Sequence, residues 1–173
     1  MKNTRHTASA ALAVLLLVII GCSKSDDQKE FENQAYSPPE GYTAMSANAQ
    51  ELDQSDPDDW RISPMYQGLL SIVSKAYPNP VFINSTSRIQ LNINYITNLS
   101  RIEAWVFQTS FQEDGRGPVD SISDSQISEG GVPVINLNPS SFPQNFRGDN
   151  LYRILILDQS GNVITYGDIK VEQ

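Results

Sequence analysis

The chain has 173 residues, 39% of them hydrophobic and 18% charged, with 20 Asp and Glu against 12 Lys and Arg, for a formal net charge of −8. So acidic a chain repels nucleic-acid phosphates and anionic lipid headgroups, which argues against nucleic acid as a partner. The only histidine is His6 and the only cysteine Cys22. Beyond Cys22 there is thus no imidazole or thiol for Ser-His-Asp or Cys-His nucleophilic chemistry, nor for zinc or copper sites built on those ligands.

The first element is an N-terminal signal. Lys2 and Arg5 precede an uncharged apolar run from Ala10 to Ile20, closed by the small residue Gly21. A charged n-region, an apolar h-region and a small residue mark a secretory signal over residues 1–21. The uncharged stretch from Thr7 to Gly21 is shorter than the roughly 20 apolar residues that span a bilayer. Ile19-Ile20-Gly21-Cys22 resembles the lipobox of bacterial lipoproteins. That resemblance implies cleavage before Cys22, lipid attachment to its sulfur, and a bacterial outer-membrane protein whose first partner is the membrane itself. Thioether-linked diacylglycerol with an N-terminal acyl chain anchors stably. An ordinary secretory signal is the rival reading, but it leaves the lone thiol, which forms no internal disulfide, without a role. All 20 acids and ten of the bases follow Cys22, so the mature chain carries 10 − 20 = −10.

Residues 22–59 read as a lipidated, acidic, flexible tether. They are rich in Ser, Asp, Gln, Glu, Asn and Pro and poor in branched apolar residues, so they bury too little to offset their ordering entropy. A short helix is expected only near Ala44 to Leu52. Ser23-Lys24-Ser25-Asp26-Asp27 resembles the surface-export signal of Bacteroidota lipoproteins; the sequence leaves surface and periplasmic exposure both open.

Residues 60–173 read as one β domain. Leu69 to Val73 is the first strand, broken by Pro78 and Pro80, which cannot donate to a ladder. Arg88 to Tyr95 alternates strictly, with Ile89, Leu91, Ile93 and Tyr95 on one face, as a half-buried strand does. Arg101 to Thr109 follows the turn Asn98-Leu99-Ser100, with apolar residues on both faces. Phe111 to Gly131 reads as a long loop, Val132 to Leu137 as a strand, and Pro139 to Asp149 as a loop with Phe142 and Phe146 plugging the core. Leu151 to Leu157 is nearly all apolar and so central. Asp158 to Asn162 forms a hairpin turn. In Val163 to Val171 the apolar phase slips, which predicts a β-bulge near Gly167. Short strands between Gly, Pro and Asn turns predict an all-β fold, an Ig-like antiparallel β-sandwich of about seven strands.

Ala76-Tyr77-Pro78-Asn79-Pro80, then Ser85-Thr86-Ser87 and the alternating strand, resemble the opening of a bacterial Ig-like family. It includes the C-terminal sorting domains of type IX secretion and the flagellar-hook-cap Ig-like modules. Gly148 to Arg153 is a looser version of the family's Gly-x-Tyr motif, and Val81 stands where Phe is usual. The resemblance covers Ala76 to Val171 and implies the sandwich fold; a sorting role in secretion is its secondary implication.

Sites are weighed the same way. Trp60, Tyr66, Trp105 and Tyr166 are aromatic enough to offer a sugar platform, which makes Trp60, Tyr66 and Tyr166 candidate contacts for a glycan or an envelope protein partner. The plainer reading puts Trp105 in the core and makes Trp60 a latch for the preceding segment. Asp120-Ser121-Ile122 resembles the Bacteroidota O-glycosylation acceptor, which implies Ser121 as a modification site. Asp114, Asp120 and Asp124, flanked by Glu113 and Glu129, have the oxygen ligands calcium takes but match no EF-hand spacing; no metal and no cofactor are predicted. Glu103 with Glu113 or Asp168 would be the carboxylate pair of a hydrolase, but Glu103 alternates like an ordinary strand position. The expectation is a non-catalytic structural, adhesive or assembly module.

Overall fold

Strand pairing in the computed structural model, which describes residues 24–95, 99–111, 117–123, 126–127, 130–142 and 150–173, builds an all-β sandwich with nine strands rather than about seven. They are β1 (Arg61–Ile62), β2 (Leu70–Tyr77), β3 (Val81–Phe82), β4 (Ser87–Ile93), β5 (Arg101–Phe107), β6 (Asp120–Ser123), β7 (Val134–Leu137), β8 (Leu151–Asp158) and β9 (Val163–Glu172). One sheet has the order β1-β9-β8-β5-β6, with β3 added parallel to β9; the other has the order β2-β4-β7. The alternation in β4 sends Ile89, Leu91 and Ile93 inward, as expected, to meet Ile102, Ile154, Ile156 and Ile169 of the facing sheet. Tyr95 does not share that face: the strand ends at Ile93, and Tyr95 is 61% exposed.

The larger sheet is covered on both sides. Its outer face carries a second apolar cluster of Phe107, Leu155, Leu157, Val163 and Tyr166, capped by Phe31 and Ala35. β8 is therefore central in its sheet and covered on both faces, and it is buried from Tyr152 to Asp158. This accounts for its nearly unbroken apolar run.

The covering element is α1 (Asp26–Ala35), and it overturns the expected tether. Ser25 caps it, its hydroxyl oxygen accepting from Gln28 N at 3.2 Å, with Asp26 and Asp27 in the first turn where acids suit the helix dipole. Gln28, Phe31 and Ala35 recur every three to four residues, so one stripe faces the sheet. The Phe31 ring packs on Tyr166 with centroids 5.1 Å apart. Residues 38–59 are also folded onto the domain. Instead of the expected helix near Ala44 to Leu52, Met45 bridges to Glu51 and to Asn79, and Lys75 pairs with Glu51 at 3.0 Å. The reason is polar bonding: hydrogen bonds between its backbone and buried side chains secure the segment.

The bulge in β9 lies at Ile164, since Ile156 pairs with Thr165 but Leu157 with Val163. Ile164 thereby faces the sandwich interior while Tyr166 faces α1. Gly167 serves another end: the Trp60 indole lies directly on it, where any Cβ would overlap the ring. And the expected loop from Phe111 to Gly131 contains β6, which pairs with β5. Of the two expected plugs, Phe142 is buried against Tyr152, with ring centroids 5.3 Å apart; Phe146 lies outside the described residues.

Candidate functional site

Three charged side chains meet where the polar N-terminal segment crosses β8 and β9. Arg153 and Asp168 are cross-strand partners, so their side chains stand side by side on the face that α1 covers. Asp59 reaches them from the residue before Trp60, and all three are buried. Arg153 donates through Nε and Nη2 to the two oxygens of Asp168, the second at 3.0 Å, a bidentate geometry. Its Nη1 donates to the carbonyl of Gln34 at the end of α1 at 2.8 Å, and its guanidinium lies 4.8 Å from the centre of the Tyr166 ring. Asp59 accepts from the backbone N–H of Asp168 at 2.7 Å and from that of Thr43 at 2.6 Å. Asp168 accepts from the N–H of Glu40 at 3.3 Å. The bonds from Arg153 to Gln34, from Glu40 to Asp168 and from Asp168 to Asp59 join the N-terminal segment to the sheet.

Two carboxylates and one guanidinium are buried together here, Asp168 paired with Arg153 and Asp59 bonded to backbone N–H groups. Burial, and then the neighbouring charge of Asp168, push the Asp59 carboxyl up to about 7, against the pull of the two N–H donors. Burial also raises Asp168, opposed by Arg153. Burial works against the charge on Arg153, but the hydrogen bonds and charge of Asp168 outweigh it and hold it protonated. Beside this clasp a cleft of about 220 Å³ opens, lined by Glu40, Asp56, Asp58, Asp59, Arg153 and Tyr166 among others. Among the described residues, no three His, Cys, Asp or Glu side chains converge as metal ligands.

Asn79, the Asn of Tyr77-Pro78-Asn79-Pro80, completes the lock. It is fully buried. Its Nδ2 donates to the carbonyls of Thr43 and Asp168, both at 2.9 Å, and its Oδ1 accepts from Lys170 N at 3.0 Å. A third buried carboxylate, Asp158, organises the β8–β9 hairpin. It accepts from the N–H groups of Ser160 and Asn162, both at 2.8 Å, and from the Tyr66 hydroxyl at 2.6 Å. Burial opposes its charge, but these donors, Tyr66 first, hold its carboxyl below the usual range. Tyr66 is raised by its own burial and by that bond.

The aromatic candidates sit inside the fold. Trp60, Tyr66 and Tyr166 are 3%, 6% and 1% exposed, so none of these three offers an open ring face as a platform. Trp60 pins β9 through Gly167, Tyr66 reaches Asp158, and Tyr166 packs between Phe31 and Arg153 with its hydroxyl 3.0 Å from Arg61. Trp105 packs on Phe111 at the edge of the outer cluster, with its Nε1 donating to Glu103 at 3.1 Å. Glu103 and Asp168 have separate partners: Glu103 pairs with Arg101 at 3.2 Å. Ser121 stands exposed on β6, a strand rather than a loop. Asp120 beside it accepts from Asn136 N at 2.7 Å, joining β6 to β7 across the two sheets. Cys22, Glu113, Asp114, Asp124 and Glu129 lie outside the described residues. Sequence reasoning missed Asp59, which nothing near it in the chain marks, and Arg153, which its surroundings did mark. The available signal was Arg153 itself, one charge inside the apolar run Leu151 to Leu157, which demands a buried counter-charge.

Fold and site together define a class: an all-β sandwich whose polar N-terminal segment is locked on by a buried Asp-Arg-Asp clasp. No protein-family model matches the chain, and no curated protein matches it in sequence.

Proposed function

We propose that this chain is a lipid-anchored protein of the bacterial outer membrane whose sandwich acts without catalysis, as a structural, adhesive or assembly module for a protein or glycan partner. The observation that carries the reading is Ile19-Ile20-Gly21-Cys22 after a signal-like apolar run. The absence of a catalytic role is supported by how the buried carboxylates are spent. Asp59 gives both oxygens to backbone N–H groups and Asp168 gives both to Arg153, which is the work of a lock. A sorting role in type IX secretion is the weaker alternative, because the Asn of its signature motif is already accounted for by its three buried hydrogen bonds.

The test is metabolic labelling with a clickable palmitate, wild type beside Cys22→Ala, with protease shaving of intact cells. Label that depends on Cys22 supports the anchor, and shaving then assigns the exposed side. An unlabelled wild-type protein would overturn the reading.

A further inference from the structure

We propose that the end of the sandwich formed by the β8–β9 hairpin, the α1 N-terminus and the 3-10 turn Pro64–Tyr66 is held against the lipid surface, with Phe82 at the end turned away from it. This inference rests on the lipid anchor at Cys22 and adds the orientation of the domain on it.

The leash is short. Lys24 is already part of the fold: its Nζ reaches both carboxylate oxygens of Glu32, at 2.7 and 2.9 Å, and Ser25 caps α1. Two residue steps separate Cys22 from Lys24, at most about 7 Å of extended chain. A diacylglycerol thioether keeps Cys22 at headgroup level, so the start of α1 cannot stand far from the bilayer. The chain lacks the spacer that would let it do so.

The strand register says which surface follows. Gln28, in the first turn of α1, accepts from Met65 N at 3.0 Å through Oε1, which puts the 3-10 turn beside the anchor. Ser63 N donates to Ile164 O at 2.9 Å, Tyr66 bonds Asp158, and Ser100 N reaches Gln159 at 3.1 Å. All of these lie at the hairpin end of β8 and β9. Phe82 pairs with Glu172, eight residues further along β9 than Ile164, or about 26 Å at strand rise. Met65 is 42% exposed at the near end and Phe82 59% at the far end. The near end also carries Asp26 and Asp27. These acids stay hydrated, so the contact is with headgroups and not with the hydrocarbon interior, and a zwitterionic surface suits it best.

The acylated protein in phosphatidylcholine vesicles containing headgroup-nitroxide lipid provides the test. A fluorophore is placed at Met65→Cys or at Phe82→Cys, since the Cys22 sulfur is blocked by its thioether. Quenching should be severalfold stronger at position 65 than at 82. A Gly/Ser insertion of about ten residues between Cys22 and Ser23, with a mean span of about 17 Å, should remove most of that difference while acylation persists. Equal quenching at both positions without the insertion, or stronger quenching at 82, would overturn the orientation. If mass spectrometry finds Cys22 unacylated and the protein does not partition with vesicles, the anchor itself fails, an outcome distinct from a wrong orientation.

Discussion

Asp59 makes the stability of the fold depend on pH in a direction opposite to that of an ordinary ion-paired acid. Its carboxyl is raised from 3.8 to about 7 in the folded protein by burial and by Asp168. A native state that holds the proton more tightly than the unfolded chain draws stability from it. That contribution is complete below pH 3.8 and is lost as the pH climbs through 7. About three units at 1.36 kcal/mol each give a total of about 4 kcal/mol, of which about 2 kcal/mol disappears between pH 5 and pH 7. Asp168, also raised by burial, adds in the same sense. Asp158, whose carboxyl is lowered, contributes stability that is lost only as the pH falls below the ordinary carboxylate range. Urea unfolding at pH 5, 6, 7 and 8 should therefore show wild-type stability falling with pH. Asp59→Asn leaves one of the two N–H groups at 2.6 and 2.7 Å without an acceptor, a cost of about 1–3 kcal/mol that does not depend on pH, so any disadvantage against wild type should shrink from pH 5 to pH 8. The slope of the variant between pH 5 and 7 should be much flatter. A wild-type profile that is flat or rising over that interval, or an Asp59→Asn profile parallel to wild type, would refute the reasoning.

The remaining predictions concern the N-terminal segment and its lock. Phe31→Ala empties the site over Tyr166 and should cost about 3–5 kcal/mol; limited proteolysis should then cut within residues 24–36 before it cuts the strands, whereas a true tether would be cut equally fast in wild type. Gly167→Ala drives a methyl into the Trp60 indole and should cost about 1–3 kcal/mol by overpacking, with a change in Trp emission; Trp60→Ala in the same background should recover part of the added strain, and additive losses would count against the contact. Asn79→Ala orphans two carbonyls and one N–H, a loss of about 3 kcal/mol or more in urea unfolding, and Asn79→Asp, which faces two carbonyls with acceptors only, should be worse still.

What could be read from the chain divides by the kind of bonding involved. Strands β4, β5, β8 and β9 were legible because apolar burial leaves a period in the sequence: Ile89, Leu91 and Ile93 alternate, and the run from Leu151 is continuous where both faces are covered. The helix α1 was not, because it needs only Phe31 and Ala35 from ten residues to seat itself. Residues 38–59 were not, because Thr43, Asp59, Asn79 and Asp168 hold them through side chain to backbone hydrogen bonds that carry no period and join positions up to 128 apart along the chain. The slip in β9 was visible, but its position was not. Ile164 takes the bulge, while Gly167 answers to Trp60, a contact between distant residues that only the folded chain displays.

The polar lock also changes what the N-terminal segment does. A disordered stretch between the proposed acyl group and the sandwich would decouple the two, and the domain would sample any orientation within its reach. Here Arg153 holds the end of α1, Asp168 holds Glu40, and Asp59 holds both Thr43 and Asp168, so the described chain from Lys24 onward is bonded through to the sheet. Hydrogen bonds fix direction as apolar contacts do not, and a bidentate Arg-Asp pair fixes it most strictly. A segment whose composition suggests slack therefore behaves as a rigid collar, and the geometry of the sandwich is carried through to Lys24, two residues from the proposed anchor.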